Sequence, residues 1–230
     1  LPLRTIERVL AREDPSRPWI PASPSDGDAH NWDVWHGFAP WQELDMRTPP
    51  FMSEFGLQAL PGTNTLASMF DGDIPAHLDD PRWAERKLQV AKLRHYLGPT
   101  RDVDLPALVE ASQRVQAAAL QTGIEACRLR REGSPYPQPC GGVAFWQFNE
   151  PWPAVTWSVI ERSRKPKLAY EMLKSSYAPL LVAALFVRKN YQPGDLFEAE
   201  IWLVNDAPNA QKVDRVVIEL DLVGGIEKPD

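Results

Sequence analysis

Two short apolar segments of this chain each end in a carboxylate, and this repeated arrangement constrains the fold more than any other feature. Residues 51–56 lie between Pro50 and a closing glycine, so the run suits a buried strand and is too short for a helix. Residues 143–148 form a second such run, followed directly by Asn149 and Glu150. In a barrel of parallel strands, the carboxyl ends gather at one mouth. The two segments are therefore predicted to contribute to one shared site.

Glu54 stands at the C-terminal end of the first segment. Its neighbours Phe51, Met52 and Phe55 would surround the carboxylate with apolar walls, where a charged group needs hydrogen-bonding partners. Charged residues are also common at ordinary strand ends. The hexapeptide by itself leaves two interpretations open, a catalytic carboxylate or a solvated strand-end residue.

Helical and strand segments alternate up to residue 177. Apolar spacing predicts helices at residues 2–12, 82–97, 105–132 and 162–173, a short strand at 19–23 and an irregular stretch at 57–77. From residue 178 only strand-like runs remain, at 181–187, 196–204 and 213–223, with turns between them. Strands at this spacing indicate the opening of a β-sandwich. We therefore expect an α/β unit over 1–177 and a β-sandwich beginning at 178.

The loop at residues 24–37 concentrates carboxylate, imidazole and indole side chains. Its Asp26, Asp28, His30 and His36 lack the spacing of a zinc site, and the calcium loop signature is also absent, so no metal is predicted. Carboxylates and imidazoles bind hydroxyl groups, and an indole packs its flat face on apolar surface, although Trp suits burial equally well. The loop is predicted to contact a sugar.

Charge and hydropathy exclude two classes of partner. The net charge is −6 with dispersed basic residues, which argues against nucleic acid and against anionic membranes. The longest apolar run, residues 178–187, contains Pro179 and is shorter than the ~18 residues that a membrane span needs. Cys127 and Cys140 are either a disulfide or two free thiols. They indicate no compartment, and nothing in the sequence indicates an oligomeric state.

Four motifs, taken in order, resemble glycoside hydrolase family 2 and, within it, the β-mannosidase branch. They are residues 17–24 (RPWIPASP), 27–37 (GDAHNWDVWHG), 51–56 (FMSEFG) and 146–158 (WQFNEPWPAVTWS). The resemblance covers about residues 1–205. It implies that 1–177 is the C-terminal part of a (β/α)8 TIM barrel and that 178–230 begins an immunoglobulin-like β-sandwich. Since a whole barrel takes ~250 residues, we expect this chain to be the carboxyl-terminal portion of something longer.

The resemblance implies that Glu54 is the nucleophile of a retaining mechanism, which uses two carboxylates. The family's acid/base lies in an Asn-Glu pair on an earlier strand, and no such strand precedes Glu54 here, so it is expected outside this chain. Asn149 and Glu150 spell the same dipeptide but follow the nucleophile, where β-mannosidases commonly have Asp in place of this Glu. We interpret Glu150 as a site-lining or supporting carboxylate.

The remaining implied roles concern substrate binding. Trp146 is expected to be the platform beneath the sugar, with His30, Trp32 and Trp35 shaping the loop around it. Together with Asn149 and Glu150, these four complete the predicted substrate-binding set. No cofactor is implied, because two carboxylates suffice for the mechanism.

The predicted function is that of a retaining exo-β-glycosidase acting on terminal β-linked sugars, foremost β-mannosides. A β-glucosaminidase or β-galactosidase of the same family is an alternative, because these enzymes differ in a few hydroxyl contacts. Two further alternatives are a non-catalytic carbohydrate-binding protein with a decayed barrel and an α/β domain without activity.

Overall fold

The structure is a computed structural model that describes residues 2–25, 27–45, 48–98, 103–131, 138–186, 192–209 and 212–217. Helices and strands are mixed along the chain, as in an α/β protein. The helices are α1 (Pro2–Glu13), α2 (Thr63–Met69), α3 (Arg82–Glu85), α4 (Val90–Leu97), α5 (Leu105–Leu129) and α6 (Leu168–Ser176), with a 3-10 helix at Trp41–Asp45. The strands are β1 (Asp28–Asn31), β2 (Phe51–Phe55), β3 (Leu180–Phe186) and β4 (Ala199–Asn205).

Parallel pairing organises the first part of the chain. Strand β1 pairs with β2 in parallel, and Met52 of β2 also forms a parallel bridge with Val143. Further along, Asn149 forms a parallel bridge with Ile160. Because β1, β2 and the segment at Val143 run in the same direction side by side, their C-terminal ends meet at one edge.

Helix α5 packs against β2 at this edge. It begins where the sequence predicts, since the Asp104 carboxylate accepts a hydrogen bond of 2.8 Å from the Ala107 N–H. Its buried face includes Leu120 and Ile124 and packs in one cluster with Phe55 of β2. A β-carbon added to Gly123 would come within 2.5 Å of the Phe55 ring, so helix and strand are in close contact.

Strands β3 and β4 pair antiparallel and pack against the end of α5. Leu129 forms a small core with Leu181, Ala183 and Val204, and Arg128 binds the Asp206 carboxylate at 2.9 Å. The strands predicted at 181–187 and 196–204 thus form within a few residues of the expected bounds. Of the strand predicted at 213–223, residues 213–217 are not a strand and the rest lies outside the described residues.

Two predicted helices form differently because tertiary contacts capture the backbone. The helix expected at 82–97 is split into α3 and α4, since the Gln58 side chain donates to the Lys87 carbonyl (3.0 Å) and accepts from the Gln89 N–H (2.9 Å) at the break. The helix expected at 162–173 begins only at Leu168, because a tight turn around Arg164 precedes it.

Some strand expectations also need correction. Residues 143–148 contribute one bridge, at Val143, rather than a continuous strand. Residues 19–23 form no strand, and the predicted irregular stretch at 57–77 contains α2. Conversely, β1 lies inside the segment predicted to be a loop. Cys127 and Cys140 are both buried free thiols. Within the described ranges no helix is long and apolar enough to span a membrane.

Candidate active site

A local irregularity in the sheet places the central carboxylate. Met52 and Phe55 of β2 are buried, whereas the Glu54 side chain keeps 30% of its surface exposed. Between Ala29 and His30 the register of β1 against β2 shifts, so that His30 lies opposite Glu54. Such a bulge changes the direction of a side chain without ending the pairing. It brings an imidazole next to the carboxylate.

Two side chains from the β1 segment contact Glu54. The Trp32 indole N–H donates a hydrogen bond of 3.2 Å to Glu54 Oε2, and His30 Nδ1 lies 3.5 Å from the same oxygen. The indole nitrogen can only donate, so Glu54 Oε2 is the acceptor in this contact. The carboxylate is oriented from one side by protein and is open on the other.

Trp146 lies next to the end of β2. The backbone N–H of Trp146 donates a hydrogen bond of 2.9 Å to the Phe55 carbonyl. The backbone carbonyl oxygen of Trp146 lies so close to Gly56 that a β-carbon added at Gly56 would overlap it. The peptide bond from Trp146 to Gln147 is cis. Trp146 is 44% exposed, and its backbone lies against the strand end that carries Glu54.

An aromatic cluster forms the adjoining wall. Trp32 contacts His36 and Trp157 at ring separations of 5.2 and 6.0 Å, and His36 lies 5.9 Å from Trp157. Burial, together with the charge of Lys92, lowers the pKa of His36. Both effects favour the neutral imidazole of His36. The wall behind Trp32 is aromatic.

Trp35 requires a correction. It is only 1% exposed, donates to the Gln89 side chain at 2.9 Å and stacks on Tyr96 at 5.5 Å. Trp32 and Trp35 lie on one short turn, and their indoles separate, one toward Glu54 and one into the core. Trp35 therefore supports the loop from behind and has no open face for a sugar. Sequence alone did not distinguish the two indoles, because both suit burial or stacking.

Asn149 and Glu150 also separate. Asn149 is exposed, and its carbonyl accepts a hydrogen bond of 2.9 Å from Gln147. Glu150 is 5% exposed and accepts a hydrogen bond from the Thr156 hydroxyl. Its carboxylate lies in a buried network and not on the surface beside Glu54.

This buried network contains a lysine. Lys167 is 3% exposed and donates to the Ala59 carbonyl at 2.8 Å. Burial lowers its pKa to about 7, against the opposing charges of Glu161 and Glu150. Glu161 in turn accepts from the Gly62 N–H at 2.7 Å. The network anchors the segment that follows Glu54, and the sequence carried no signal for it beyond the residue types.

Among the described residues, no group of three or more His, Cys, Asp or Glu side chains is placed to hold a metal ion. Sequence reasoning also missed Ser23, which lies 3.0 Å from His30 Nε2. Its only signal was its place at the edge of the Asp- and His-rich loop.

Comparison with known proteins points to one family. No family model matches the chain. It is 30% identical to β-mannosidase B of Thermothelomyces thermophilus over 97% of this chain, and 29% identical to β-mannosidase B of Aspergillus terreus over 90%. The crystal structure of β-D-mannosidase from Dictyoglomus thermophilum superposes with a TM-score of 0.70 at 26% identity and covers 88% of this chain.

The similarity is confined to part of each relative, since the chain spans 29%, 26% and 25% of their respective lengths. The fold is α/β with parallel strands, and it superposes on one part of that β-D-mannosidase. Over most of its length the chain is thus similar to one part of the β-mannosidases, which supports a β-mannosidase-like family within glycoside hydrolase family 2.

Proposed function

We propose that this chain is the nucleophile-bearing part of a retaining exo-β-glycosidase that hydrolyses terminal non-reducing β-mannosides. The observation that carries the proposal is the Glu54 carboxylate near the end of β2, which is 30% exposed and accepts from Trp32. The exposed Trp146 is bonded through its backbone N–H to Phe55 of the same strand. A sugar stacked on Trp146 would present its ring to a carboxylate that is already oriented. Mannose is proposed as the sugar because the relatives are named β-mannosidases.

We further propose that residues 1–177 are the C-terminal part of a (β/α)8 barrel and that residues 178–230 begin an immunoglobulin-like sandwich. Parallel pairing of β1, β2 and Val143 over the long helix α5 supports the first part. Antiparallel pairing of β3 and β4 supports the second. The acid/base carboxylate would come from the barrel strand that lies outside this chain.

In the proposed mechanism the Glu54 carboxylate attacks the anomeric carbon while the acid/base protonates the leaving oxygen. Retaining glycosidases hold the two carboxyl groups about 5 to 5.5 Å apart for this purpose. Water activated by the same acid/base then hydrolyses the glycosyl ester and restores Glu54. The Trp32 hydrogen bond keeps one oxygen of Glu54 occupied, which leaves the other to attack.

The test is mechanism-based labelling of the complete protein with a 2-deoxy-2-fluoro-β-mannosyl fluoride, followed by peptide mass mapping. The expected result is one glycosyl group on Glu54 and loss of labelling in Glu54→Gln. Glu110→Gln is the matched control, because Glu110 is an exposed carboxylate paired with Arg114 on α5. Label on a different carboxylate would contradict the assignment of the nucleophile.

The same experiment separates the alternatives. Labelling only by the galactosyl or glucosaminyl analogue would replace β-mannosidase by β-galactosidase or β-glucosaminidase. Absence of label with every analogue, combined with binding of the sugars, would indicate a non-catalytic carbohydrate-binding protein. We favour the β-mannosidase because the two sequence relatives and the Dictyoglomus thermophilum structure reported above are named β-mannosidases.

A further inference from the structure

The two cysteines of this chain lie together behind the strand that carries Glu54. Cys127 is in the last turn of α5, and Cys140 comes shortly before the bridge at Val143. Both are buried, and both belong to one hydrophobic cluster. The backbone N–H of Cys140 donates a hydrogen bond of 2.5 Å to the carbonyl of Arg130, which follows Cys127 by about one helical turn. The segment that carries Cys140 is therefore fastened to α5 close to Cys127.

A cavity of about 420 Å³ is lined by both cysteines. Its lining also includes Gly141 and Arg131, which are exposed, so the cavity reaches the protein surface. One water takes about 30 Å³ in the liquid, so the cavity has room for a small organic reagent. Two buried thiols of this protein thus share one route to solvent.

The two thiols also differ in their surroundings. A hydrogen bond between them is the largest effect on the pKa of each, and it lowers the pKa of Cys140 and raises that of Cys127. Cys140 Sγ also lies 3.2 Å from the Gly142 carbonyl oxygen. Because the thiolate is the nucleophile in disulfide exchange, Cys140 is the sulfur suited to attack first.

We propose that Cys127 and Cys140 form a dithiol–disulfide site that small organic disulfides oxidise. Cys140 attacks one sulfur of the reagent, which gives a mixed disulfide and releases one reagent thiol. Cys127 then loses its proton and attacks the Cys140 sulfur, which closes the protein disulfide and releases the second reagent thiol. The protein loses two electrons and two protons, and the reagent takes up both. This inference goes beyond the proposed function and does not depend on it.

The disulfide connects helix α5 to the strand that carries Glu54. The carbonyl of Gly142, two residues after Cys140, accepts a hydrogen bond of 3.0 Å from the Met52 N–H of β2. Val143 forms the parallel bridge with the same residue. Oxidation therefore fastens the end of α5 covalently to the segment that pairs with β2. Since a disulfide restricts the opened chain, local opening of this region becomes rarer in the oxidised protein.

The experiment treats the complete folded protein with hydroxyethyl disulfide, unfolds it in the presence of iodoacetamide and maps the unreduced peptides by mass. The expected product is a crosslinked pair of peptides that contain Cys127 and Cys140 and that dithiothreitol separates. Cys127→Ala and Cys140→Ala are the controls, since neither can form the pair, and Cys127→Ala should keep a reagent adduct on Cys140. Two free thiols in the treated wild type would overturn the proposal, as would adducts on both cysteines without a crosslink.

A second measurement follows hydrogen exchange in the oxidised and the reduced wild type. Exchange at the end of α5 and in residues 138–145 should slow by at least about tenfold on oxidation. Exchange in α1, where every described residue is at least partly exposed, should stay the same. Unchanged exchange at the end of α5 in the crosslinked protein would refute the fastening of α5 to β2. Neither readout uses turnover, so both remain decisive even if the labelling of Glu54 fails.

Discussion

The contact between Gly56 and Trp146 gives the sharpest test of how the site is held. A methyl group added at Gly56 would overlap the Trp146 carbonyl oxygen, lie 3.2 Å from its carbonyl carbon and reach 3.4 Å from Trp157 Cδ1. The first two atoms belong to the backbone, so no side-chain rotation relieves the overlap. In Gly56→Ala the end of β2 and the Trp146 segment must therefore move apart.

The consequences differ for stability and for activity. Overpacking of this kind costs about 1–3 kcal/mol of unfolding free energy, and the 2.9 Å hydrogen bond from Trp146 N–H to the Phe55 carbonyl would weaken as well. Glu54 lies two residues before Gly56, so the nucleophile shifts relative to the Trp146 platform. A misplacement of ~1 Å costs on the order of 10²-fold in rate. Gly56→Ala should thus remain folded but lose most of its activity.

The assay combines denaturant unfolding with kcat/KM for an aryl β-mannoside, both on the complete protein. Gly141→Ala is the matched control, because a β-carbon there would meet only the Pro50 carbonyl at 3.6 Å, an ordinary contact. That variant should resemble the wild type in both measurements. Wild-type stability and activity in Gly56→Ala would refute the reasoning, since the two segments would then not be in contact as described.

Three further predictions concern the supporting structure. Gln116→Leu removes a fully buried amide that donates to the carbonyls of Leu57 (2.9 Å) and Trp157 (3.0 Å). It should lower the unfolding free energy, measured in denaturant, by about 2–3 kcal/mol, because these two acceptors lose their donor. Burial lowers the pKa of Lys167 from its ordinary 10.5 to about 7. Between pH 7 and pH 10.5 the unfolded state therefore binds more protons than the folded state, so the unfolding free energy should rise with pH across this range. The gain from pH 7 to pH 9 should be about 2 kcal/mol relative to Lys167→Met, and equal slopes in the two proteins would contradict it. Asp104→Ala removes the N-cap of α5 and should cost about 1 kcal/mol in the same unfolding assay, with Asp104→Asn close to wild type.

Local sequence signals were sufficient for the elements that depend on neighbouring residues. The strand that carries Glu54 was predicted from the flanking proline and glycine, and α5 from its apolar spacing. The family was also recognisable, since its motifs are short and contiguous. The assignment of Glu54 as nucleophile remains a prediction that the labelling experiment tests.

What the tertiary structure decided depends on residues that are far apart in the chain. The split between α3 and α4 follows from Gln58, whose side chain binds backbone near Lys87 and Gln89, and the burial of Trp35 follows from its contact with α4. Likewise, the bulge that sets His30 against Glu54 exists only once β1 and β2 pair. The sequence by itself determined which groups are available and where strands and helices begin, because those choices are local. Only the packed fold decided which groups face the site and which face the core, because that choice belongs to pairs of residues that the sequence does not place together.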